Sequence, residues 1–111
     1  MTTSAERKAY NQGVFRNANE RLERGAEELV GADEASIVPF LCECSRLDCT
    51  QVVLLTLAAY EEVREGPRRG IAVVGHEDAE VEDVVERHDG YLVTEKFGRA
   101  GDLHAEADPR S

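Results

Sequence analysis

The sequence predicts an α+β domain: a long N-terminal helix, a small and mostly antiparallel sheet, two further helices, and a hairpin stapled by zinc. Three observations carry this reading. A helical repeat of apolar residues runs from Ser4 to Val30. Short β-rich runs separated by turn residues follow it. Three cysteines then fall in one short stretch, Cys42-Glu43-Cys44-Ser45-Arg46-Leu47-Asp48-Cys49, and the chain has no other cysteine.

In the first element Tyr10, Val14, Ala18, Leu22, Ala26 and Leu29 recur mostly at spacing four, and Phe15, Leu22 and Leu29 at spacing seven. Gly31 is the expected stop. Such a helix runs to roughly 40 Å, longer than the rest of a domain this size. Either residues 1–13 fray and only Val14 to Val30 docks, or a second chain covers the overhang. Ile37 to Leu41 and Gln51 to Leu55 read as strands, with Pro39 marking an edge or a bend. Thr56 is a helix N-cap, and the helix it starts ends before Gly66-Pro67, burying Leu57, Tyr60 and Val63. Ile71 to Val74 is a third strand. Asp78 then caps a helix carrying Val81, Val84, Val85 and His88 at helical spacing, closed by Asp89-Gly90. Tyr91 to Phe97 alternates as a last strand. Periodicity is lost beyond Gly98, so residues 1–98 form one compact domain and 99–111 a loose tail.

A chain of 111 residues with three Phe, three Tyr and no Trp has material for a modest core only. A staple suits that size. The formal charge of −10, from 23 acidic and 13 basic residues, opposes a nucleic-acid surface, which needs Lys and Arg against phosphates. Arg64, Arg68 and Arg69 read as a solvated helix end. No apolar run is long enough to cross a membrane. The polar start, Met1 to Arg7, is no secretory signal. The expected setting is the cytoplasm, where thiols stay reduced.

Zinc takes four donors in a tetrahedron, thiolate and imidazole by preference at structural sites. Cys42, Cys44 and Cys49 sit on the connection between two strands, and the four residues Ser45 to Asp48 return the third cysteine toward the first two. His76 ends a strand that can lie beside this hairpin, with Gly75 allowing close approach, and is the candidate fourth ligand. Asp48, Glu43 or water are the alternatives. His88, on the apolar side of a helix, and His104, in the tail, read as structural and solvated respectively. Three small buried cysteines are the plainer account, but their flanks Glu43, Ser45, Arg46 and Asp48 are polar, as in a loop.

No H-E-x-x-H, P-loop or G-x-S-x-G motif is present. Glu77 and Asp78 beside His76 suggest acid/base work only if the metal keeps an open position. The leading expectation is a non-catalytic module that binds a protein partner, or itself, through the N-terminal helix. A thiol and zinc redox regulator is the alternative, and a zinc hydrolase the third.

The chain also resembles a group of small uncharacterised actinobacterial proteins. The likeness covers roughly Phe15 to Arg110. It rests on Phe40-Leu-Cys42-Glu-Cys44 with Cys49, Thr56 with Tyr60 and Val63-Arg64, Gly75-His76-Glu77, Val84-Val85-Glu86, Tyr91-Leu-Val93 and Asp108-Pro109-Arg110. The resemblance implies that His76 belongs with the three cysteines and implies no activity. Where the group has an aromatic residue before the third strand, this chain has Arg69-Gly70.

Overall fold

The computed structural model describes residues 3–110. The parts of the expected frayed start and loose tail at Met1, Thr2 and Ser111 lie outside the described residues. The order is α1 (Ser4–Val30), β1 (Ile37–Leu41), β2 (Val52–Thr56), α2 (Leu57–Arg64), β3 (Arg69–Ala72), β4 (Glu82–His88), β5 (Tyr91–Lys96) and α3 (Gly98–Glu106). The class is α+β, with two small sheets in place of one. β1 pairs antiparallel with β2, and β3–β5–β4 form a three-stranded antiparallel sheet. Beyond β1 the two sheets are tied together, because the Glu43 N–H donates to the Ile71 carbonyl at 2.8 Å.

Helix α1 is unbroken over 27 residues, capped by the Thr3 hydroxyl accepting from the Glu6 N–H. Residues 4–13 are therefore not frayed. Its buried face differs from the expected one. Tyr10 (69% exposed) and Leu29 (85%) face outward, while Gln12, Arg16, Asn19 and Glu23 are buried at spacings four, three and four. That stripe has helical period but is polar, so apolar periodicity alone selects the wrong side. The reason lies in what α1 meets: a loop, a chain end and buried carboxylates, all offering hydrogen-bond partners. Only Phe15 is a large apolar residue buried on α1; Leu22 and Ala26 pack partly against the main core.

That core lies between the inward faces of β1 and β2 (Val38, Phe40, Val53, Leu55), α2 (Leu57, Tyr60, Val63) and the other sheet (Ile71, Val93). Phe40 and Tyr60 stack with ring centroids 4.1 Å apart. Thr56 caps α2 as expected, accepting from the Ala59 N–H at 3.1 Å.

Two expectations are corrected. The helix read from Asp78 is a single turn, in which the Val81 and Glu82 N–H groups reach the Asp78 carbonyl, followed by strand β4. Asp89-Gly90 is the tight turn of a β4–β5 hairpin pairing His88 with Tyr91. A bulge between Val84 and Glu86 shifts the strand register there. The helical spacing of Val81, Val84 and His88 is overridden here by pairing with β5.

The second correction concerns the tail, which forms α3 and packs on α1. Ala100, Gly101 and His104 are buried. A Cβ at Gly101 would sit 2.6 Å from the Lys96 carbonyl oxygen, so only glycine allows this approach to β5. His104, expected in solvent, is 1% exposed. Burial, with the positive charges of Lys96, Arg16 and Arg64, holds its pKa down at about 2. Beyond α3 the chain end is held by ions. Arg64 is buried, not solvated, and pairs with Glu20 and Asp108. Arg110 reaches Glu20, Glu23 and Glu61. Two guanidinium groups thus serve four carboxylates. Burial, with Glu61 as its hydrogen-bond partner, pushes Glu23 up to about 8, whereas Arg110 pulls Glu61 down to about 2.

Candidate metal centre

Cys42 prolongs the line of β1, its N–H donating to the Gln51 carbonyl at 3.1 Å. Side chains alternate along extended backbone. Cys42 and Cys44 therefore project to one side and Glu43 to the other. The Ser45–Asp48 stretch then turns back, closed by the Cys49 N–H on the Arg46 carbonyl at 3.1 Å. His76 arrives from the turn after β3, its N–H on the Val73 carbonyl at 2.9 Å. Gly75 serves that turn at φ 93°; no atom crowds it, so close approach is not its role.

The four predicted side chains converge. One donor atom each from Cys42, Cys44, Cys49 and His76 lies within 4.8 Å of all the others. The His76 Nδ1 is 3.7 Å from the Cys42 Sγ and 3.5 Å from the Cys49 Sγ. A tetrahedral zinc with Zn–S near 2.3 Å and Zn–N near 2.0–2.1 Å has S···N edges of about 3.5 Å. Those two edges match a ligand set, the four donors as a whole lie within 4.8 Å, and the three cysteines are free thiols.

Cys42 donates to Cys44, which pulls Cys44 down to about 5, while that bond and burial push Cys42 up. Three thiolates cannot share this space unless a cation compensates them, and a divalent ion does so. The Val73 N–H donates to the Cys42 Sγ at 3.3 Å, the outer-shell support expected of a metal thiolate.

Glu43, read from sequence as a loop residue and spare ligand, is 1% exposed and faces the core. Its carboxylate accepts from the Tyr60 hydroxyl and the Asn19 amide, both at 2.8 Å, and from the Ile71 N–H at 3.1 Å. Asn19 also donates to the Leu41 carbonyl and accepts from its N–H. The residue between the first two cysteines thus locks their backbone to α1, α2 and β3. Strand alternation was the available signal: if Cys42 and Cys44 share a face, Glu43 must point inward. On the outer side, Asn11 donates to the Ser45 carbonyl at 2.8 Å, and Ser45 donates to Asp78, which pairs with Lys8. Asn19 of the polar stripe on α1, with Asn11 and Lys8 beside it, thus forms the bed of this loop.

The other candidates lie apart. Asp48 is exposed. His88 stacks on Tyr91 at the β4–β5 hairpin, its Nε2 2.7 Å from Glu86. The chain matches no protein-family model, no curated protein and no solved structure. Among the described residues no helix is long and apolar enough to cross a membrane.

Proposed function

We propose that this chain is a zinc-stapled interaction module of the cytoplasm. Its zinc is held by Cys42, Cys44, Cys49 and His76, and its task is to bind another protein. The convergence of four protein donors carries the reading: a set completed by His76 leaves no position for a reacting water, which marks structural and not hydrolytic zinc. The same pattern in the actinobacterial proteins this chain resembles would mark the same centre.

The partner surface we assign is the outer face of the β1–β2 hairpin with the end of α1. Ile37, Pro39, Val52 and Leu54 (64% exposed) face outward there, and Leu29 and Val30 stand beside Ile37 and Pro39 around one groove. The N-terminal half of α1 is covered on one side by the cysteine loop and α3. Contiguous exposed apolar surface favours a protein partner, and the flanking Glu27, Glu28, Asp33 and Glu34 favour one with a basic rim.

Metal analysis should find one zinc per chain, lost in Cys44→Ser and sharply weakened in His76→Ala. A His76→Ala protein with unchanged zinc content would overturn the Cys3His assignment. Leu54→Glu should keep zinc and fold but lose crosslinking to the partner seen with the parent chain. Equal crosslinking in both would move the interface elsewhere.

A further inference from the structure

We propose that the cleft between α1 and α3 binds a small apolar monocarboxylic acid, its carboxylate received by the free edge of the Arg16 guanidinium. The cleft holds about 440 Å³, within the span of small-molecule sites. Tyr10, Val14, Leu103 and Ala107 form its apolar walls, and Arg16 and His104 line it as well.

Arg16 is the observation that names the ligand. Its side chain is fully buried, yet among the described residues no carboxylate forms an ion pair with it, Asp108 and Glu43 acting on it only at longer range. Other buried cations of the fold have partners: Arg64 has Glu20 and Asp108, and Lys96 has Glu82. Arg16 spends only its Nη1, on the His104 carbonyl at 2.8 Å and the Pro67 carbonyl at 3.4 Å. Its Nε and Nη2 are sealed from solvent and have no hydrogen-bond partner, so a ligand carboxylate reaches them as the side chains of the cleft wall move aside. Those two atoms are one side of the guanidinium fork, whose parallel N–H bonds match the two oxygens of a carboxylate.

A single fork beside apolar walls selects a monoanion with a hydrocarbon body. A phosphate dianion asks for more donors than this edge offers. Neither the metal centre nor the β1–β2 face takes part, so this inference stands or falls apart from the proposed function.

The test is an NMR titration of the zinc-loaded full chain with hexanoate, its uncharged analogue hexanamide, and inorganic phosphate. Hexanoate should shift amide signals along residues 9–17 and 103–107. It should bind at least about tenfold more tightly than hexanamide, the size of one charge-assisted hydrogen bond. Arg16→Met should abolish that preference. Because a buried substitution can unfold the chain, Val14→Phe, which narrows the cleft at a partly exposed wall, should weaken hexanoate with the fold intact. Equal binding of acid and amide, no shifts, shifts elsewhere, phosphate binding as well as hexanoate, or indifference to Val14→Phe would each overturn the proposal.

Discussion

Replacing Glu43 by alanine should cost the domain a large share of its stability although the residue binds no metal. Three donors converge on its buried carboxylate: the Tyr60 hydroxyl, the Asn19 amide and the Ile71 N–H. In Glu43→Ala the Asn19 amide keeps the Leu41 carbonyl at 2.9 Å, but the other two donors are left buried without a partner. At about 1–3 kcal/mol for each orphaned group, with a further contribution from the small void, the loss is about 3–5 kcal/mol. A domain of this kind has about 5–15 kcal/mol in total. The chain has no Trp, so urea unfolding of the zinc-loaded protein is best followed by far-ultraviolet circular dichroism. The double variant Glu43→Ala/Tyr60→Phe should lose less than the sum of its parts, because it removes one of the orphaned donors along with its acceptor. A loss under about 1 kcal/mol for Glu43→Ala, or strict additivity with Tyr60→Phe, would refute the idea that this carboxylate ties the cysteine strand to the core.

Two further outcomes follow from the chain end. Glu23 titrates near 8 in the fold against an ordinary 4.5, chiefly through burial. Below pH 4.5 it is protonated in both states and its contribution is fully present. Between 4.5 and 8 the unfolded chain releases the proton and the fold retains it, so stability falls as pH rises, and above 8 nothing more is lost. Glu23→Gln should remove that slope in a pH series of thermal melts while keeping an acceptor for Arg110; an unchanged slope would show that Glu23 is not its source. Gly101→Ala should destabilise by about 1–3 kcal/mol and loosen α3, since the new methyl meets the Lys96 carbonyl at 2.6 Å. Slow amide exchange preserved throughout α3 in that variant would contradict the close approach.

Much of the architecture was legible in the chain because local chemistry governs it. The bounds of α1, the cap at Thr56, strand β1 and the alternation of β5 follow from periodicity and capping. The Asp78–Asp89 stretch was not, since Val81, Val84 and His88 have helical spacing and pairing with β5 overrides it. The tail was misread for a related reason. Short α3 has little helical signal of its own, and it is held by Gly101 against β5 and by the ions around Arg64 and Arg110.

The division at the candidate metal centre is sharper. The three thiols in one short loop were legible in the sequence, with His76 as candidate fourth donor beside Asp48, Glu43 or water. Their convergence at ligand spacing, the inward carboxylate of Glu43 and the polar bed on α1 were decided only by tertiary structure. The physical reason is that apolar periodicity reports burial against oil, whereas Gln12, Arg16, Asn19 and Glu23 are buried against carbonyls, amides and charges brought from distant parts of the chain. A polar residue advertises its buried place only once its partner has arrived.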